Sequence, residues 1–238
     1  MNNLLLDAAL RYRRVRLSII PLQPRSKFPD LQALRVSGNL NHLGQPSWSE
    51  FYRRLATHEE ALSWFGSGDR NLGLLSGYCQ LLILDFDERE SYEEWSTHYT
   101  DIAARTSTQR TAKGFHVLFR WAKTWTMYYR TGTGFSLLES ESPHLGHMKG
   151  AFGWIAGWPS VNPEGYQYEW LPGQAPWETG ILRIERLEDI GVEPTRKIPQ
   201  AHVAFLRRLL LNPRDNLPML SKWLKYRWNL LRGTAVRY

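Results

Sequence analysis

Residues 81–89 read LLILDFDER, and no other stretch limits the possible folds so much. Leu81 to Leu84 form a short apolar run typical of a buried strand, which has to belong to a sheet inside a packed domain. Side chains alternate along a strand, so Asp85 and Asp87 leave on one face while Phe86 returns to the core. Two carboxylates so placed repel each other, and a divalent cation such as Mg²⁺ or Mn²⁺ relieves that repulsion, as in phosphoryl-transfer sites. The plainer alternative has Asp85 capping a turn and Asp87 merely solvated.

The surrounding pattern predicts an α/β or α+β domain. Leu5, Leu6, Ala9 and Leu10 recur near helical spacing within residues 4–16, and LSIIPL (17–22) reads as a buried strand. Residues 25–49, rich in Pro, Gly, Asn and Ser, read as a long loop. Thr57 followed by Glu60 is a capping-box signature for a helix over 57–65. NLGLLSG and QLLILDFD read as two strands joined at Gly77–Tyr78, either as a hairpin or through a tight connection. A helix is predicted over 91–104, and strands over FHVLFRW (115–121), GWIAGW (153–158) and YQYEWL (166–171). Helical spacing returns at 201–211 and 217–231, divided at Pro213.

Two further stretches carry chemistry. In TAKGFHVLFR, Lys113 and Gly114 form a turn before His116 opens a strand. Gly114 would allow close backbone approach to a ligand, His116 can donate a hydrogen bond to a phosphate oxygen, and Lys113 can add charge. A structural histidine is the other reading. In GWIAGWPSVNPEGYQYEW, Ser160 can contact phosphate, and Trp154, Trp158, Tyr166, Tyr168 and Trp170 either stack on bases or fill the core.

Composition narrows the partners. No apolar run approaches the roughly 18–20 residues that span a bilayer, the N-terminus does not fit a secretory signal, and the single cysteine, Cys79, precludes an internal disulfide. The expected setting is the reducing cytoplasm. Of the 30 Lys and Arg, nine lie from Lys197 onward, against one of the 23 acids, so the net charge of +7 resides in the tail. Such a tail commonly neutralises nucleic-acid phosphates; a solvated basic helix pair is the alternative.

Taken together, the order of LDFD, GFH and a Gly-containing strand ending in PS-x-x-P-x-G-Y-x-Y-x-W resembles the bifunctional primase–polymerase family of the archaeo-eukaryotic primase superfamily. The resemblance runs from about Ala8 to Trp170 and includes the SKFP segment with Lys27 and the Trp64–Phe65 helix end. It implies an α+β catalytic domain over 1–190, with a mixed central sheet and an RRM-like half, then a basic helical segment over 197–238. It also implies template-directed nucleotidyl transfer as a DNA primase or polymerase in replication of a plasmid, phage or integrated element. Asp85 and Asp87 would bind Mg²⁺ or Mn²⁺, and His116 would meet the triphosphate with Lys113, Lys149, Ser160 and Arg110. Arg207, Arg208, Lys222, Lys225 and Arg227 would hold single-stranded template and primer, with a helicase acting in trans. Two departures stand out. The third acid of the family pattern is replaced by His147, leaving Glu139 or Glu141 as other donors, and Asn162 stands where histidine is frequent. The departures motivate the alternative of a catalytically degenerate relative that binds nucleotide or nucleic acid.

Overall fold

The computed structural model describes residues 3–67, 69–122, 124, 146–150 and 153–192. Helix α1 (Leu4–Arg14) starts where the Asn3 side chain accepts from the Leu6 amide at 3.1 Å, and Arg11, Arg13 and Arg14 sit in its last turn. Cations there favour the partial negative charge of the helix end. Strand β1 (Ser18–Leu22) follows, fully buried. The predicted 25–49 loop instead contains helix α2 (Leu31–Val36), and a 3₁₀ turn follows at Ser49–Tyr52. Asp30 caps α2, accepting from the Ala33 amide at 2.9 Å. Polar composition concealed so short a helix, because one cap and six residues make a weak signal.

Helix α3 (His58–Phe65) carries the expected capping box, with Thr57 and Glu60 each accepting from the other's backbone amide. Strands β2 (Asn71–Leu75) and β3 (Leu81–Phe86) come next, separated by a 3₁₀ turn at Tyr78–Gln80. The helix predicted over 91–104 begins earlier and breaks at Tyr99, giving α4 (Arg89–His98) and α5 (Thr100–Ala103). Strand β4 (Thr108–Arg110), three residues long, was not legible in the sequence. Then come β5 (Phe115–Trp121), β6 (His147–Lys149), β7 (Trp154–Gly157), β8 (Glu169–Trp170) and β9 (Leu182–Ile184). Strand β8 is much shorter than the expected 166–171, where only an isolated Val161–Gln167 bridge precedes it. The helices predicted at 201–211 and 217–231, and with them Arg207, Arg208, Lys222, Lys225 and Arg227, lie outside the described residues.

The strands form two sheets. A three-stranded antiparallel sheet has the order β1-β2-β7; a six-stranded sheet has the order β6-β3-β5-β4-β8, with β9 parallel to β5. Strands β2 and β3 therefore do not form a hairpin. Both edges of β2 are taken by β1 and β7, and both edges of β3 by β5 and β6. The connection turns sharply through Gly77, Cys79 and Gln80, all at positive φ. Arg120 ties it down by donating to the Cys79 carbonyl at 2.9 Å.

Hydrophobic cores cover both faces of the larger sheet. Leu81, Ile83 and Leu118 pack with α1, α3 and the small sheet; Leu82, Leu84, Val117 and Phe119 pack with Tyr92 and Trp95 of α4. Burying so many large side chains, at about 1.5–3 kcal/mol each, outweighs what single surface contacts contribute. Among the described residues no helix is long and apolar enough to cross a membrane.

Candidate active site

Asp85 continues the Leu81–Ile83 row to the end of β3, where that core gives out. The strand register then assembles the site. Asp85 lies directly opposite His116 of β5 on one side and His147 of β6 on the other, and His116 lies opposite Gln109 of β4. Directly paired residues share a face, so one row of side chains runs Gln109, His116, Asp85, His147 across four strands. Lys149, two residues along β6, joins the same face.

The contacts follow. His116 Nε2 lies 3.1 Å from Asp85 Oδ1, and Lys149 Nζ lies 2.8 Å from Asp85 Oδ2. His147 Nε2 lies 3.4 Å from Asp87 Oδ2. The two carboxylates are not equivalent: Asp85 has 16% of its side chain exposed and Asp87 57%. Burial opposes ionisation of Asp85, but the His116 ring and the Lys149 ammonium more than offset it, holding the carboxyl well below the ordinary value. Tyr168 stacks near-parallel to the His116 ring with centroids 6.1 Å apart. Its hydroxyl is pushed up to about 12, by burial first and then by the Asp85 charge.

Two glycines let three strands close on this segment. A Cβ at Gly114 would run into the Phe86 carbonyl, and one at Gly146, at φ +116°, into the Asp85 carbonyl. What approaches Gly114 closely is therefore the backbone of β3, rather than the ligand expected from sequence.

Other predicted residues are placed differently. Ser160 is buried, its hydroxyl accepting from the Leu72 amide at 2.8 Å and donating to the Leu72 carbonyl at 3.0 Å. It staples β2 to the turn after β7 instead of facing a phosphate. Asn162 is similarly occupied, accepting from the Tyr166 amide at 2.7 Å. Arg110 pairs in register with Phe115 and Glu169, which puts it on the opposite face from Gln109 and His116. Lys113 is exposed on the turn preceding Gly114, at the Asp87 end of the sheet. Glu139 and Glu141 lie outside the described residues. Tyr12 is fully buried and the half-buried Trp170 packs against that core, with the Tyr12 hydroxyl donating to the Trp158 carbonyl at 2.8 Å and accepting from Trp170 Nε1 at 3.1 Å.

Among the described residues no group of three or more His, Cys, Asp or Glu side chains forms a ready cage for a metal ion. Mg²⁺ does not require one: it keeps several waters and binds through one or two carboxylates plus substrate phosphates. Asp85 near the end of β3 and Asp87 just beyond it offer the oxygen donors such a hard cation takes, although His116 and Lys149 already contact both Asp85 oxygens. His147 adds a nitrogen donor beside Asp87, a type less suited to Mg²⁺ than a carboxylate oxygen. Lys149 already places one positive charge on Asp85.

No curated protein is similar enough to this chain to be matched with it. A family described as bifunctional DNA primase/polymerase, N-terminal, matches residues 9–189, which include every element from β1 to β9 and all of Asp85, Asp87, His116, His147 and Lys149. The chain belongs to the bifunctional DNA primase/polymerase N-terminal domain family.

Proposed function

We propose that this domain binds a nucleoside triphosphate over the Asp85–His116–Lys149 row and transfers the nucleotide to the 3′-hydroxyl of a DNA primer on a single-stranded template. The observation that carries the reading is the register of β5, β3 and β6, which brings a half-buried carboxylate, a histidine and a lysine onto one face near the end of β3. Asp85 and Asp87 would hold Mg²⁺ or Mn²⁺, which when bound neutralises charge on the phosphates. Lys149 exchanges its Asp85 oxygen for a phosphate oxygen, and its ammonium stabilises charge building on the triphosphate. His116 donates a hydrogen bond at the same face. The 3′-hydroxyl gives up its proton to solvent water, its oxygen bonds to the α-phosphorus, and the bond from that phosphorus to the bridging oxygen breaks as pyrophosphate leaves. Family membership supports such synthesis as part of replication, and the resemblance extends it to plasmids, phages or integrated elements with a helicase supplied in trans.

A second reading rests on His147. With histidine where the family has an acid, the site lacks one negative charge, which suits a relative that binds nucleotide or DNA without synthesis. Extension of a labelled primer with all four dNTPs and Mg²⁺ or Mn²⁺ separates the two. Extension by the wild type and none by an Asp85→Ala, Asp87→Ala double variant supports the polymerase. No extension with either metal, from folded protein that binds DNA, supports the binding module.

A further inference from the structure

The geometry points to Gln109 as a positioning residue that sets the tautomer of His116, making its Nε2 edge a hydrogen donor toward Asp85 and the site. The functional meaning of that edge rests on the nucleotide reading above; the tautomer itself does not.

Gln109 is fully buried in β4, and His116, directly opposite it on β5, is almost so. An amide side chain can be turned either way round, but here the backbone of the small sheet decides. The Trp158 amide donates to Gln109 Oε1 at 2.7 Å, and Gln109 Nε2 donates to the Ala156 carbonyl at 2.9 Å. A backbone N–H can only donate and a carbonyl can only accept, so the reverse orientation would set donor against donor and acceptor against acceptor. The second hydrogen on Nε2 then points at His116 Nδ1, 2.9 Å away.

The chain of roles continues without a free choice. Nδ1 must accept, so the ring proton sits on Nε2. Nε2 faces Asp85 Oδ1 at 3.1 Å, and a carboxylate accepts. The opposite tautomer would turn both buried contacts repulsive. His116 is thereby a donor to whatever oxygen meets Nε2, whether Asp85 or a phosphate, and is not a general base there. Because Ala156 and Trp158 belong to β7 and the residue that follows it, docking of the three-stranded sheet against the larger one is what holds this tautomer in place.

The test is ¹⁵N NMR of the full chain labelled at histidine, without metal or nucleotide, at one neutral pH. His116 is assigned by the signal missing from a His116→Gln variant. The wild type is expected to show His116 as a single tautomer, protonated at Nε2 with Nδ1 bare. Gln109→Met, which keeps the length but removes the amide, is expected to give a mixture of tautomers. Gln109→Glu, which offers an acceptor to Nδ1, is expected to bring a proton onto Nδ1. A wild-type His116 protonated at Nδ1 overturns the proposal, even where neither variant folds. So does a folded Gln109→Met with the wild-type pattern, since a purely structural staple would leave the tautomer alone. Affinity for dATP is measured separately: loss of the nucleotide reading with the tautomer as stated would count against His116 as a phosphate contact and leave the role of Gln109 intact.

Discussion

Asp85 carries the densest set of interactions in the site, and its carboxylate is held by one donor at each oxygen. Its folded-state value lies below that of an unfolded aspartate, because His116 and Lys149 outweigh the cost of burial. The ionised group therefore contributes stability that is fully present above about pH 4 and is lost as pH falls toward the lower folded value. Urea unfolding of wild type and Asp85→Asn between pH 3 and 7 is expected to show a difference of about 2–3 kcal/mol near neutrality. That difference should shrink with acid, and one that stays constant with pH would refute the assignment. Ser160 makes the contrasting case. Its hydroxyl bridges both backbone groups of Leu72 inside the core. Ser160→Ala should cost about 1–3 kcal/mol of stability while leaving dATP affinity unchanged. A fall in affinity at constant melting temperature would restore the phosphate-contact role.

At the scale of elements, the site is a meeting of three strand ends, and the tolerance is narrow. Strand β3 is flanked by β5 and β6, and each partner brings a glycine against its Asp85–Phe86 backbone. Alanine at Gly114 would put a methyl group against a carbonyl oxygen, and at Gly146 it would also sit at a φ that side chains disfavour. Gly114→Ala is expected to lose about 1–3 kcal/mol by overpacking, read as a lower thermal midpoint. Primer extension should fall with it, because the strand ends that present Asp85, Asp87 and His116 are forced apart. An unchanged midpoint would mean β5 and β3 do not approach so closely. The role of α4 is to seal the other face: Tyr92 stacks on Phe115 with ring centroids 3.9 Å apart, and Trp95 packs on Phe86.

For the molecule as a whole, the division of charge matters more than its sum. Through residue 196 the chain is near balance, with 21 basic and 22 acidic residues, and the excess lies beyond it. Neutralising phosphates releases counterions, with a slope of about −0.7 per contact for single strands. Replacing Arg207, Arg208, Lys222, Lys225 and Arg227 together by Gln in the full chain should weaken binding to single-stranded DNA. It should also flatten the log K against log salt slope by up to about 3.5. Fluorescence anisotropy across a salt series checks this; an unaltered slope would show that the tail does not touch the phosphates.

What the sequence determined by itself is local. Thr57 with Glu60 marks a helix start, apolar runs mark β1, β2, β3 and β5, and LDFD with GFH carries the family resemblance. These depend on spacings of two to four residues, which a single chain displays directly. Pairing does not. Asp85 meets His116 and His147 across 31 and 62 residues of sequence, and only the packed sheet decides that both fall opposite it. The same register turns Arg110 away from the site and brings in Gln109, whose three-residue strand has no periodicity to read. Tertiary structure also decided that β2 and β3, adjacent in sequence, go to different sheets, since each already had a partner on both edges. A strand's alternation says which residues share its face, but which neighbour that face meets depends on burying both cores at once.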